Sequence, residues 1–199
     1  TYSDNQTTQE FQLLHDSGDK LSGILGFYYL DGEAGGVVKN IFVASSFGTT
    51  DGNVKTTSYA GFLDGSYKLS PKLTLNAGAR YTSEEKKAHV FNAAYNSTFT
   101  QVLAVAASFD KSKTFSSFAP RLGLDYAFSE SAMGYLSASR GFKSGGFNVR
   151  ANTIAAPGSD LPFDDEVLDV IEVGVKSVLL DHKLVLNAAA FYGDYKDVQ

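Results

Sequence analysis

The sequence predicts an all-β fold of about eight antiparallel up-and-down strands, arranged as four hairpins, and three observations carry that reading. Apolar and polar residues alternate with a period of two through most of the chain. The connections alternate between tight turns and long loops. The composition is rich in Gly (19), Tyr (11) and Phe (15) but poor in Pro (4), which favours strands with aromatic surfaces over helices. Strands are predicted near residues 7–16, 19–31, 54–69, 72–87, 113–129, 131–143, 165–180 and 182–197.

The fourth strand is the plainest. In "KLTLNAGARYT", Leu73, Leu75, Ala77, Ala79 and Tyr81 alternate with Thr74, Asn76, Gly78, Arg80 and Thr82. The fifth, "FAPRLGLDYAF", places Phe118, Pro120, Leu122, Leu124, Tyr126 and Phe128 against Arg121, Gly123 and Asp125. In the seventh, Ile171, Val173 and Val175 alternate with Glu172, Gly174 and Lys176, and the eighth puts Leu184, Leu186, Ala188, Ala190 and Tyr192 on one side. The sixth alternates through "SASRGFK" and gives way at Gly145 and Gly146. Arg140 falls there on the apolar side, so the strand is expected to reach its rim between Arg140 and Lys143.

The hairpin turns are "DSGD", "LSPK", "FSES" and "LLDHK", built from residues suited to tight reversals. Between hairpins lie three stretches read as long loops, at residues 31–53, 88–110 and 144–164. Compact soluble domains seldom carry such loops, whereas outer-membrane barrels combine short periplasmic turns with long extracellular loops. On this reading the apolar faces meet lipid and the polar faces the lumen. Tyr67, Tyr81, Tyr126, Phe128 and Tyr192 then belong to interfacial girdles.

Several classes drop away. With no Cys there is no disulfide scaffold, thiolate metal site or cysteine nucleophile. A net charge of -5 with interspersed signs leaves no basic stripe for nucleic acid. No stretch has the length of apolar residues a spanning helix needs, and "TYSDNQTTQE" lacks the pattern of a secretory signal. The mean hydropathy of -0.12 does not count against a barrel, whose strands are half polar.

The stretches "APRLGLDYAFSESAMGYLSASRGFKSGGFN" and "EVLDVIEVGVKSVLLDHKLVLNAAAFYGDYKDVQ" resemble the barrel of TonB-dependent outer-membrane receptors. So do "TTQEFQLLHDSGDKLSGILGFYYL" and "SYAGFLDGSYKLSPKLTLNAGARYTSEEKK". The resemblance implies part of a barrel of about 22 strands that encloses a plug, in the outer membrane of a Gram-negative bacterium. It also implies energised import of a scarce ligand such as an iron–siderophore complex. Residues 1–199 are expected to form one partial barrel domain without plug or TonB box, contacting outer-membrane lipid and ligand, and TonB only through a missing N-terminal part.

Nothing in the sequence points to an enzyme or a cofactor. His15, His89 and His182 fall outside metal-ligand spacing, with His89 expected in a loop and His182 in a turn. "RGFKSGG" lacks the glycine spacing and following helix of a phosphate loop. The matches to N-x-[ST] at Asn5 and Asn96 are chance in this setting. The acidic group Asp160, Asp164, Asp165 and Glu166 is expected to form a solvated loop rim, with divalent-cation binding as the other reading. Arg80, Arg121, Asp125, Glu172 and Lys176 are expected to face the lumen, either paired there or gripping a plug or ligand. Ligand contact is placed in the outer loops at Phe147, Asn148 and Arg150, which combine an aromatic surface with polar donors. Two alternatives remain: a self-contained eight-stranded barrel with a structural or adhesive role, and a soluble β-sandwich binding module.

Overall fold

A computed structural model describes residues 2–18, 20–42 and 46–199, without the side chains of Phe42 and Ser46. Eight strands run in order through one antiparallel sheet: β1 Tyr2–Asp16, β2 Leu21–Phe42, β3 Ser46–Lys68, β4 Leu73–Tyr95, β5 Val102–Ser129, β6 Ala132–Lys143, β7 Glu166–Leu179 and β8 Leu184–Lys196. Each strand pairs with its neighbours in sequence. Among the described residues β1 and β8 have one partner strand each, so the sheet is open. That overturns the closed eight-stranded barrel, and the presence of a single sheet overturns the sandwich, which needs a second to pack against.

The short turns form as the sequence implies. Gly18 takes φ 79° and its N–H donates to Asp16 Oδ1 at 2.7 Å, while Ser70 caps the β3–β4 turn by accepting from the Lys72 and Leu73 N–H groups. Two of the three predicted long loops, however, are largely strand. Residues 31–42 continue β2, 46–53 begin β3, 88–95 complete β4 and 102–110 begin β5; residues 43–45 lie outside the described residues. Register continues without a break from Lys68↔Thr74 to Phe47↔Tyr95. His89 therefore sits in β4, not in a loop. What remains of the second loop, 96–101, is closed by the Asn96 side chain, whose Oδ1 accepts from the Thr100 and Gln101 N–H groups. Only the third, between Lys143 and Glu166, is a true long loop.

Alternation sorts the sheet into two faces. One carries Leu25, Leu63, Leu122, Leu124, Ile171, Val173 and Leu186, all more than a third exposed. On β4 this apolar band runs from Leu73 to Tyr81, and it is bounded above on β3 and β4 by Tyr59 and Tyr81 and below on β3 and β5 by Tyr67 and Tyr126. Its span of nine residues on β4 is the length a tilted strand needs to cross the hydrocarbon. Beyond it the same face turns polar, with Asp31, Lys55, Glu85, Lys87 and His89.

The opposite face is polar at the level of the band. Buried apolar residues gather higher up, where Ala88, Val90, Ala107 and Phe109 of β4 and β5 pack against Phe147 and Ala151. The core of this protein is thus the contact between its long loop and its wall.

Candidate functional site

The loop 144–165 lies against the polar face because its sequence supplies both an apolar foot and a row of acceptors. Phe147 and Ala151 are 8 % and 1 % exposed, and the Phe147 ring sits 6.4 Å from that of Phe109. Phe147 was expected to offer an aromatic contact surface. Its ring is instead buried in the wall, and it serves to hold the loop.

Polar latches surround this foot. Lys86 Nζ donates to Gly145 O at 2.6 Å, and Asn92 Nδ2 donates to Val149 O and Ala151 O at 3.0 and 2.9 Å. Thr153 donates to Ala106 O from both its N–H and its hydroxyl, at 2.8 and 2.9 Å. Gly145 fits only as glycine: an added Cβ would lie 2.2 Å from Phe163 O and 2.4 Å from the Phe115 ring. The two glycines that superficially suggest a phosphate loop thus mark where the backbone runs close to Phe163 on the other limb of the loop and, at Gly145, to Phe115 of the wall.

The acidic group makes the remaining latches. Lys111 Nζ donates to Asp160 Oδ2 at 2.5 Å, Lys113 Nζ to Asp164 Oδ1 at 2.6 Å and Ser117 Oγ to Asp165 Oδ2 at 2.6 Å. Asp165 also accepts from the Gly145 N–H at 2.8 Å. Because Lys111, Lys113 and Ser117 alternate along one face of β5, the acids meet them in order, as fasteners between loop and strand. The Lys111 hydrogen bond holds the Asp160 carboxyl below its ordinary pKa. Glu166, 3 % exposed, accepts from Tyr195 Oη, the Gln199 N–H and Lys143 Nζ, and the Tyr195 bond lowers its pKa. The four acids therefore point to four sets of partners and do not converge.

Beside the latched loop lies a cavity of about 600 Å³, between the loop and the upper parts of β2, β3 and β4. Asn40, Thr50, Asn92, Arg150 and Asn152 line it. Asn40 Nδ2 donates to Thr50 Oγ1 at 3.0 Å. Among these lining residues Arg150 is the only charged one, and it is exposed. Asn148 is exposed as well, and its Oδ1 accepts from the Arg150 N–H at 2.9 Å. Asn40, Asn92 and Asn152 have no signature in the sequence, because their convergence depends on how the loop folds back.

Lower on the wall, Arg80, Arg121, Asp125, Glu172 and Lys176 all lie on the polar face. Arg121 bonds Asp64 across β4, and Asp125 accepts from Asn76 Nδ2 at 2.8 Å. Tyr135 Oη donates to Glu172 at 2.5 Å, while Lys176 Nζ sits 5.5 Å from the Tyr135 ring centroid. Arg80 differs: its Nε donates to Thr82 Oγ1 at 3.1 Å, and its guanidinium lies 5.3 and 5.6 Å from the Tyr28 and Phe62 rings.

A family model described as TonB dependent receptor-like, beta-barrel, matches residues 1–199. The fold is similar to that of the ferric yersiniabactin uptake receptor FyuA from Yersinia pestis, with a TM-score of 0.82 and 17 % identity, over 100 % of this chain and 29 % of that one. The ferric-catecholate import receptor Fiu from E. coli K12, in its closed form, gives 0.69 at 18 % identity over 98 % of this chain and 32 % of Fiu. The siderophore receptor PiuA from Acinetobacter baumannii gives 0.67 at 20 % identity over 96 % and 32 %. The chain spans less than a third of each.

Proposed function

Because the chain belongs to the TonB-dependent receptor-like β-barrel family, we propose that it forms part of the wall and outer vestibule of an outer-membrane importer. That importer takes up a scarce ligand, such as an iron–siderophore complex, with energy delivered through TonB. The observation that carries this reading is the loop 144–165 folded onto the polar face, with a cavity beside it that presents Arg150 and three asparagines. A wall whose one face is an exposed apolar band and whose other face holds a latched loop and a polar cavity has the two surfaces an importer needs.

In this reading Arg150 and Asn148 contact the ligand, and Phe147 fixes the loop that presents them. The polar-face residues Arg80, Arg121, Asp125, Glu172 and Lys176 line the lumen, where their pairing keeps the wall rigid. Further strands pair with the free edges of β1 and β8 and complete the barrel, since long open edges are otherwise sites of association.

The test is uptake by cells that carry the whole receptor, starved of iron and offered radiolabelled ferric complexes. Arg150→Ala is expected to lower uptake at subsaturating ligand roughly ten- to a hundred-fold, the scale of a charge-assisted hydrogen bond, with receptor abundance unchanged. Uptake independent of the receptor for every ferric complex offered would overturn the substrate class.

A further inference from the structure

The backbone that carries Arg150 to the cavity is pinned from both sides. Asn92, on the polar face of β4, donates one amide hydrogen to Val149 O at 3.0 Å and the other to Ala151 O at 2.9 Å. These are the carbonyls of the residues just before and just after Arg150. Asn148 completes the frame: its Oδ1 accepts from the Arg150 N–H at 2.9 Å, and its backbone O accepts from the Ala151 N–H at 3.1 Å.

Packing sets the same residues against the wall. Val149 lies over Gly52 of β3, where an added Cβ would come within 2.8 Å of the Val149 Cβ, and Ala151 is buried in the cluster with Val90 and Ala107. Two residues further on, Thr153 bonds Ala106 O. Ala106 is the extra residue of a bulge, since β5 pairs Ala107 with Asn92 and Val105 with Ala93 and passes over it. Such a residue is left unpaired in the ladder, and Thr153 takes up its carbonyl. Between these contacts the Arg150 side chain is exposed and makes no hydrogen bond or ion pair among the described residues.

Asn92 is an unexpected residue for its place. It is 6 % exposed beside the apolar Val90 and Ala107, and its Oδ1 is buried with no hydrogen-bond partner among the described residues. An unpaired buried acceptor is unfavourable, and an apolar residue of similar size would avoid it. Turning the amide over would set Oδ1 against two carbonyl oxygens, which can only accept. The side chain is thus held for its two N–H groups, and both go to the carbonyls that flank one arginine. The rest of the loop has its own fastenings in Phe147, Lys111 and Lys113.

We propose that Asn92 is the positioning residue for Arg150, holding the guanidinium at the cavity for an anionic oxygen of a ferric complex. A frame that is already in place lets the cation meet the anion without first being ordered. The part of Asn92 in uptake rests on the reading of the cavity given above; the frame itself does not.

The experiment uses the full-length receptor with pairs of nitroxide labels, one in place of Ala77 of the band and the other in place of Arg150 or Leu161, both exposed positions of the loop. Distances are read by pulsed electron spin resonance. With Asn92 present, each pair is expected to give one narrow maximum. Asn92→Leu, of similar size, and Asn92→Ala, which cannot overfill the site, are each expected to spread the distances from Ala77 to Arg150 and to leave those from Ala77 to Leu161 unchanged. An unchanged distribution at Arg150 overturns the proposal, and so does equal spreading of both pairs, which would make Asn92 a fastener of the whole loop. Function is read without labels, as uptake of an anionic ferric tris-catecholate and of a neutral ferric tris-hydroxamate by cells lacking other receptors. Asn92→Leu is expected to lower uptake of the anionic complex roughly fivefold and to have no further effect beside Arg150→Ala, whereas additive losses overturn the coupling. Uptake of neither complex by wild type contradicts only the ligand reading; the distances decide the role of Asn92 in either case.

Discussion

Asp64 and Arg121 stand on strands that are not neighbours, yet Arg121 Nη2 donates to both carboxylate oxygens of Asp64 at 2.9 and 2.8 Å, passing over Gly78 of the strand between. The three residues share one rung, and a Cβ on Gly78 would lie 2.2 Å from Asp64 Oδ2. Gly78→Val is expected to separate the pair. In a double-mutant cycle with Arg121→Gln, the second change should then cost almost nothing in the Gly78→Val background. Both side chains are about half exposed in the sheet, so the coupling should be small, about 0–1 kcal/mol. Chemical denaturation of the whole receptor measures it.

The loop is held first by its apolar foot. Phe147→Ala removes a buried ring and should cost about 3 kcal/mol of loop docking, the lower end for a buried Phe. Hydrogen exchange of 144–165 should then rise while the band segments of β3 and β4 keep their protection. Gly145→Val should release the same loop by a different route, because the clash is with Phe163 backbone and with the Phe115 ring.

Two latches titrate in opposite directions. The hydrogen bond to Asp110 at 2.7 Å raises the pKa of His89, on the outer stretch of β4 above the band. A raised folded-state pKa means that its contribution is full below the unfolded value of about 6.5 and is lost as pH rises through the folded one. Protection of the β4–β5 tip should therefore fall as pH rises above about 6.5, and His89→Gln should abolish that dependence. Asp160 behaves in the opposite sense. Its lowered pKa stabilises the latched loop above the unfolded value of roughly 3.9 and ceases to do so as pH falls through the folded one. Exchange of 156–164 should accelerate on acidification, and Lys111→Gln should flatten the response.

The polar cavity should discriminate by charge. With Arg150 and no carboxylate among its lining residues, binding should weaken with salt for an anionic ferric complex and not for a neutral one. Calorimetry of the whole receptor at two ionic strengths, with wild type and Arg150→Gln, makes the comparison.

Legibility in the sequence followed the environment of each segment. Within the band, one face is apolar and the other polar, so Leu73 to Tyr81 and Ile171 to Val175 announced themselves by alternation, and Ser, Pro, Gly and Asp marked the turns. Above the band the apolar residues are few and fall on both faces, as in 83–95, where Val90 turns to the loop core and its neighbour Phe91 to the other face, so alternation vanishes although the ladder continues. A strand without a regular apolar face reads as a loop, which is why 31–53 and 88–110 were expected to be loops. The true loop, 144–165, was legible from Gly145 and Gly146, but its direction was not. Phe147 carries the same letter whether it offers its ring to a ligand or buries it on Phe109, and only the pairing that places Ala88, Val90 and Ala107 beside it decides. Arg140 is the converse case. A lone cation on an apolar face fixed the rim, and the structure adds Asp169 as its partner.

The central claim is that one face of this sheet meets lipid between two aromatic levels while the other lines the lumen. Nitroxide labels placed singly from 73 to 89 along β4 of the full-length receptor in membranes test it through their accessibility to oxygen and to a polar nickel chelate. Labels at 75, 77 and 79 should be oxygen-accessible and chelate-excluded, those at 74, 76 and 78 should not, and beyond Ser83 the odd positions should become open to the chelate. A profile without period two, or one in which the even positions meet the lipid, would contradict the claim.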